Sequence, residues 1–353
     1  MAIKQVICSG TPYEIGHAHG VAGAPEIERA LAFYATLFMK HSKLDWPQVQ
    51  ELAKDFEDLI KTRWPRYYEE LQGIADGSKR ELVDIIALNV RTEIVFGQFS
   101  DGCTSLYYQG DGHSYQGQNW DWSEQQAQNL LRVTIIQAAI PTIQMITEAG
   151  LIGKIGLNSN GVGVCFNAIR AKGLDKSRLP VHLGLRMALE SSSAMEAANT
   201  LERIGMASPA HILLGDATTA VGLEFTSSTF ARIPINRDGY IAHSNHLLLS
   251  HANVCEPAWL DDSPIRLKTM EHNIAQLGAR LSWDTYRALF EDETDYPCSI
   301  NRAADPKSDN TATLFNIVMD LGEKYAEVRM GRPMAGDQGG ERLVFAFAEN
   351  RSF

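Results

Sequence analysis

The 353-residue sequence has no apolar run approaching the ~18 residues of a membrane-spanning helix. Its opening, Met1-Ala2-Ile3-Lys4-Gln5-Val6-Ile7-Cys8, has no long apolar core followed by a small-residue cleavage site. Both absences point to a soluble intracellular protein. Cysteine is scarce: Cys8, Cys103, Cys165, Cys255 and Cys298 are an odd number without a C-x-x-C pair, so neither a disulfide framework nor a structural zinc site is indicated. Buried free thiols are the expectation for four of them. Long runs of one charge are also missing. The net charge of −11 is spread along the chain, which argues against binding nucleic acid or an anionic membrane and is accounted for by solubility. There is no internal repeat and no low-complexity linker. The final residues, Asn350-Arg351-Ser352-Phe353, do not form a Ser-Lys-Leu type of peroxisomal address, which favours the cytoplasm. What is present is ordinary for an enzyme: 44% hydrophobic residues and enough length for two domains or one large one.

The first hundred residues read mainly as helix. Trp46-Pro47 opens one, with Val49, Leu52, Phe56, Leu59 and Ile60 on one face, and Arg63-Trp64-Pro65 closes it. Ser78 with Glu81 predicts a capping box ahead of Leu82, Val83, Ile85, Ile86 and Leu88. From Cys103 the period changes. Residues 103–109, 114–119, 131–139, 142–148 and 161–167 are short runs rich in Val, Ile, Tyr and Thr, bounded by turn signals such as Gly110-Asp111-Gly112 and Asn160-Gly161, and they predict antiparallel strands. A helical stretch over 180–204 follows, then strands over 211–225 and 240–244, helices over 265–277 and 283–290, and strands over 311–319, 325–330 and 342–348. Strands, helices and strands again predict an α+β fold with helices packed on antiparallel sheets.

One cysteine stands apart by its neighbours. In Asp101-Gly102-Cys103-Thr104-Ser105 it follows a glycine and leads a β-rich segment ending in Gln118-Asn119-Trp120-Asp121-Trp122. A cut between Gly102 and Cys103 would free a residue carrying both a soft sulfur nucleophile and an α-amine, whose pKa of roughly 7.7 to 8.0 suits general-base work. Gly102 suits such a cut, because a residue without Cβ tolerates the strained backbone that lets a thiol approach the preceding carbonyl. Chemically the cut is an N-to-S acyl shift followed by hydrolysis. Asp121 stands eighteen residues further on, a spacing that a hairpin folds back beside the new N-terminus. By residue type alone it is a turn or capping aspartate. His243, His246 and His251 have no carboxylate partner at a recognised spacing, and alternation sends the first two to opposite faces of a strand, so no metal site is expected. Trp120, Trp122, Tyr107 and Tyr108 flank the cysteine and suit either the lining of an apolar acyl pocket or core packing, the more common fate of aromatic residues.

Further stretches occur in a telling order: Gly10-Thr11-Pro12-Tyr13-Glu14-Ile15-Gly16 with His19-Gly20, Arg63-Trp64-Pro65 with Tyr67-Tyr68-Glu69-Glu70, Gly117-Gln118-Asn119-Trp120-Asp121, Thr147-Glu148-Ala149-Gly150 and Ala312-Thr313-Leu314-Phe315-Asn316. With Asp101-Gly102-Cys103-Thr104 they make a chain that resembles the isopenicillin N acyltransferase family, N-terminal-nucleophile enzymes made as proenzymes and cleaved before a cysteine. The likeness runs from about Gly10 to about Arg332. It implies a four-layer αββα sandwich, a helical pro-segment or small subunit over 1–102, a catalytic large subunit over 103–353, and two fragments that remain associated as a heterodimer. It further implies that Asp121 holds the α-amine of Cys103, that Asn245 donates to the oxyanion from its side-chain amide, and that the backbone N-H of Asn167 completes that hole. Arg302 matches a family arginine that holds a carboxylate or tunes the thiol. The implied partners are an acyl donor, acyl-coenzyme A as co-substrate, and a small amine acceptor in secondary metabolism, with no bound cofactor or metal.

Moving an acyl group from coenzyme A to a cysteine exchanges one thioester for another at little free-energy cost, and an amine then takes it into a stable amide. The same thioester is reached from an amide and released to water, so an amidohydrolase is the alternative at the same site. An uncleaved, non-catalytic binding protein is the alternative of a different class. Where penicillin-making relatives have Ser-Arg-Gly before the Ala-Thr-Leu stretch, this chain has Asp309-Asn310-Thr311, which points away from isopenicillin N as the substrate.

Overall fold

The computed structural model describes residues 2–95, 102–254, 256, 260–278, 281–308, 310–335 and 339–347. Asp101, Cys255, Asp309 and Ala348 therefore lie outside the described residues. The N-terminal segment begins with strand β1 (Lys4–Ser9), which the sequence reading did not predict, and continues as α1 (Pro12–Ser42), α2 (Trp46–Arg63), α3 (Pro65–Ser78), α4 (Leu82–Asn89) and α5 (Arg91–Val95). Helix α1 starts at a reciprocal cap in which Thr11 and Glu14 each bond the other's backbone, and α2 starts at the same device built from Asp45 and Gln48. As expected, Trp46-Pro47 opens α2, whose buried face is Val49, Ala53, Phe56 and Ile60, and the chain breaks at Trp64 before Pro65. The capping box expected at Ser78 and Glu81 is absent. Ser78 ends α3 and its hydroxyl donates back to the carbonyl of Ile74 (2.7 Å), so it cannot cap α4, which begins at Glu81 without a side-chain cap.

From Gly102 onward come β2 (Gly102–Gly110), β3 (His113–Ser123), β4 (Leu130–Ile136), β5 (Ile143–Glu148), β6 (Ile155–Asn158), β7 (Gly163–Ala168), α6 (Val181–Leu189), α7 (Ala194–Ile204), β8 (Ala210–Gly215), β9 (Ala220–Phe225), β10 (Phe230–Pro234), β11 (Tyr240–His243), α8 (Ser263–Leu277), α9 (Trp283–Ala288), β12 (Thr311–Asp320), β13 (Tyr325–Met330) and β14 (Arg342–Phe345). The helix expected over 180–204 is two helices, because the chain leaves α6 at Glu190 and Ser193 caps α7 with its side chain. The strand expected over 211–225 is the β8 and β9 pair, turned by Asp216, whose carboxylate accepts from the backbone of Thr218 and Thr219.

The strands form two sheets. One has eight strands in the order β1-β4-β5-β6-β7-β8-β9-β10, the other six in the order β11-β2-β3-β12-β13-β14. Pairing is antiparallel except between β1 and β4. The sheets face each other through cross-bonds between buried side chains: Ser105 Oγ donates to Asn167 Oδ1 (2.8 Å), and the Gln118 amide takes both the N-H and the carbonyl of Phe166. Helices α1, α6 and α7 cover the outer face of the eight-stranded sheet. On the outer face of the other sheet, Met270, Ile274, Tyr286 and Phe290 from the α8 and α9 region pack onto Leu106, Tyr115 and Val318. The result is the expected α+β fold, a four-layer αββα sandwich. Among the described residues, no helix is long and apolar enough to cross a membrane.

Candidate active site

Register places the key residues before any side chain is considered. The Asp111-Gly112 turn, both residues at positive φ (52° and 81°), is the two-residue type that twists with its strands, and it fixes the β2 and β3 pairing. That register sets Gly102 opposite Asp121 and Cys103 opposite Trp120. Partners across a sheet share a face, so Cys103 and Trp120 point into the space between the sheets while Asp121 lies on the other side, beneath Gly102. The spacing argument for Asp121 is therefore realised in the backbone. Cys103 is fully buried.

Cys103 is held at both ends of its peptide. Its N-H donates to Asn245 Oδ1 (2.7 Å), and its carbonyl accepts from Arg266 Nη1 (2.7 Å). Asn245 lies just beyond β11. Its own N-H donates to Ser263 Oγ (2.8 Å), and its Nδ2 donates to the Ala168 carbonyl (3.0 Å). Asn167, next to Ala168 in β7, accepts at Oδ1 from Ser105 Oγ and stands 3.0 Å from His211 Nδ1. Asn245, Asn167 and Cys103 are thus brought together.

Asp121 is completely buried, and its two oxygens differ. Oδ1 accepts from Thr313 Oγ1 (2.7 Å), while Oδ2 stands 3.4 Å from Arg302 Nε, and neither of these last two atoms has a hydrogen-bond partner among the described residues. The two atoms face each other as a buried ion pair whose geometry is too long for a good hydrogen bond. Both lie against Gly102: a Cβ there would stand 2.8 Å from Arg302 Nε and 2.8 Å from Asp121 Oδ2. Burial pushes the Asp121 carboxyl up to about 7, although Arg302, Arg266 and the Thr313 bond pull it down. Arg302 also pairs with Asp262, whose carboxylate accepts from Arg266 Nε (2.7 Å) as well. The expectation that Arg302 holds a carboxylate thus has two carboxylates to meet, both from this chain.

Of the other described thiols, Cys8 and Cys165 are buried as expected, whereas Cys298 is half-buried. Burial pushes both Cys8 and Cys165 up to about 12, which leaves them as inert thiols. The three histidines have separate duties. His243 Nε2 and His251 Nε2 both meet Glu224 (2.9 and 3.2 Å), which also accepts the backbone N-H groups of Leu248 and Leu249, while His246 meets Ser263. Glu224 therefore ties the loop after Asn245 to the other sheet. Trp120 packs in the core beneath the Lys154 ammonium (4.2 Å from the ring centroid). A cavity of about 690 Å³, lined in part by Thr313, Leu314, Leu130, Lys4 and Met330, opens at the same end of the sandwich.

Sequence reasoning missed Arg266, Asp262, Thr313 and Glu224. One signal was legible: Asp262 and Arg266 form an i,i+4 acid-base pair at the start of a predicted helix, although that pattern usually marks a solvated face.

The sequence profile described as acyl-coenzyme A:6-aminopenicillanic acid acyl-transferase matches residues 108–335. A relative from Emericella nidulans, named acyl-coenzyme A:6-aminopenicillanic-acid-acyltransferase 40 kDa form, is 43% identical over 347 residues, covering 97% of this chain and 96% of its own. Among solved structures, conjugated bile acid hydrolase from Clostridium perfringens overlaps 71% of this chain and 99% of its own with a TM-score of 0.46 at 11% identity. Penicillin V acylase from Agrobacterium tumefaciens overlaps 65% and 83% with a TM-score of 0.35 at 12% identity.

Proposed function

Because the chain belongs to the acyl-coenzyme A:6-aminopenicillanic acid acyltransferase family, we propose that it is an acyltransferase activated by its own cleavage at Gly102-Cys103, with Cys103 carrying the acyl group from acyl-coenzyme A to an amine. In the activating step the Cys103 thiol adds to the Gly102 carbonyl carbon. The C-N bond breaks as the C-S bond forms, and the thiol proton passes to the departing nitrogen. Water then cleaves the thioester, returning the thiol and leaving a carboxylate on Gly102. In turnover the freed α-amine takes the thiol proton, the thiolate attacks the acyl carbonyl, and coenzyme A leaves as its thiol with that proton. The amine acceptor attacks the acyl-cysteine and loses its proton to the sulfur, which yields an amide and restores Cys103.

The observation that carries this reading is the convergence on one peptide. Asn245 Oδ1 already accepts from the Cys103 nitrogen, and Asp121 Oδ2, which has no hydrogen-bond donor among the described residues, flanks Gly102. After a cut, an amine at that nitrogen donates to Asn245 and Asp121 and keeps its lone pair for the thiol proton. Burial raises the Asp121 carboxyl, and the Arg302 and Arg266 charges with the Thr313 bond oppose that rise and favour the carboxylate that accepts from the amine. Asn245 Nδ2 has a second hydrogen beyond the one given to Ala168. Aimed at a developing oxyanion, such a donor is worth roughly 3 to 4 kcal/mol.

Denaturing mass spectrometry with N-terminal sequencing tests the first step. A large fragment beginning at Cys103 is expected from the native sequence and none from Cys103→Ala; a processed Cys103→Ala protein would overturn the mechanism. Incubation with an acyl-coenzyme A, with and without amines, tests the second. Amide product is expected, whereas free acid alone would make the protein an acylase.

A further inference from the structure

Arg266 is the fourth residue of α8 and only 1% exposed, yet each edge of its guanidinium is assigned. Nε donates to Asp262 Oδ2 (2.7 Å), Nη1 to the Cys103 carbonyl (2.7 Å) and Thr104 Oγ1 (2.9 Å), and Nη2 to Asn245 Oδ1 (2.9 Å). A planar fork buried without freedom to turn imposes its geometry on whatever it touches. The group it touches at Nη2 is a side-chain amide, which has two orientations of nearly equal shape and opposite hydrogen-bonding sense.

We infer that Arg266, anchored by Asp262, is a positioning residue that locks the Asn245 amide with Oδ1 toward the Cys103 nitrogen and Nδ2 on the side from which it can donate to the oxyanion. In the observed orientation Oδ1 accepts from two donors and Nδ2 donates to the Ala168 carbonyl. Turning the amide over sets an NH₂ against the Cys103 N-H and Arg266 Nη2, and an oxygen against the Ala168 carbonyl. Three favourable contacts become three repulsive ones, in a place where water cannot repair them. The lock survives a cut, because the Cys103 nitrogen is an N-H donor both as an amide and as an amine. Asp262 extends it: the same carboxylate oxygen takes Arg266 and Arg302, so the groups on the two sides of Gly102-Cys103 share one anchor.

This rests on Cys103 as a self-cleaving nucleophile, and the test separates the two. Wild type, Arg266→Lys and Asp262→Ala are made by cell-free translation, and processing is timed by mass spectrometry from about pH 6 to 9, alongside thermal midpoints. Lysine keeps the charge and loses the fork, so its plateau rate should fall at least about tenfold while the inflection of the pH profile stays where wild type puts it. Asp262→Ala frees the Nε anchor while keeping Arg266, should slow processing in the same way, and carries the test if Arg266→Lys does not fold. Processing by the folded variants at the wild-type plateau overturns the lock, as does a shifted inflection with an intact plateau, which would mean that Arg266 acts by charge alone. A wild type that does not cleave removes the Cys103 reading itself.

Discussion

A glycine is useful at position 102 for what stands around it as much as for its own flexibility. Arg302 Nε and Asp121 Oδ2 approach its Cα so closely that one methyl group has to part them. Gly102→Ala should therefore leave a folded protein with an unchanged Cys103 but slow its processing at least about tenfold, since a misplacement of about 1 Å near reacting atoms is that damaging. The check is the ratio of intact to cleaved chain over time, and wild-type kinetics in the alanine variant would show that the close approach has no part in cleavage. Asp121 and Arg302 also show how far single residues are legible. Asp121 follows from counting along a hairpin whose turn announces its register. Arg302 comes from a loop nearly two hundred residues away, and its contact with Asp121 follows from no spacing in the chain.

At the scale of elements, α1 and α3 approach each other closely enough to bring backbone against backbone. Gly16 and Gly20 on one helix face the carbonyls of Glu70 and Ile74 on the other, while Gly73 and Gly77 face the carbonyls of Tyr13 and His17. Two pairs of glycines four apart let the backbones touch. Alanine is the better helix former by about 1 kcal/mol, yet its Cβ at position 16 would stand 1.9 Å from the Glu70 oxygen. Backbone cannot move aside as a flexible side chain does, so overpacking, typically costing about 1 to 3 kcal/mol, outweighs propensity. Gly16→Ala should lower the thermal midpoint by several degrees in a calorimetric scan; a rise would mean that the helices part freely. The same scale explains the misread start of α4. Ser78 has the residue type of a cap, but it is still inside α3, where its hydroxyl returns to a carbonyl one turn back.

In the whole molecule, the N-terminal segment is woven into the rest. Strand β1 pairs with β4, Arg186 bonds Glu70 (2.7 Å), Arg91 bonds Glu148 (2.5 Å), and Glu93 accepts from Val181 N and Ser208 Oγ. Fragments cut at Gly102-Cys103 should therefore co-elute at neutral pH. Breaking one partner of a buried ion pair typically costs about 3 to 5 kcal/mol, and several such pairs cross between the two pieces. Acid should part them, and one contribution has a clear sign. His19 Nε2 accepts from the Gly150 N-H (3.0 Å), which requires a neutral ring, and burial followed by the Arg186 charge lowers its pKa to about 4. A freed His19 takes a proton near its ordinary value of about 6.5. Its contribution to association is thus whole above 6.5 and lost progressively as pH falls toward 4. Sedimentation of the cleaved protein at stepped pH should show separation in that window, and His19→Gln, which keeps an acceptor, should weaken the dependence. An identical profile in the variant would remove His19 from the account.

The sequence by itself determined what depends on near neighbours. Helix caps, proline breaks, the Asp111-Gly112 turn and the alternation after Cys103 are local, because each is set by φ and ψ preferences and side-chain reach over a few residues. They suffice for the helix-then-strand layout, for the α+β class and for Asp121 facing Gly102. Tertiary structure alone decided the order of strands in two sheets, the parallel entry of β1, and the ring of Arg266, Asp262, Thr313 and Arg302 around the Gly102-Cys103 backbone. Those contacts form between residues up to about two hundred positions apart, and they arise only when apolar faces are buried and every polar group carried in with them must find a partner.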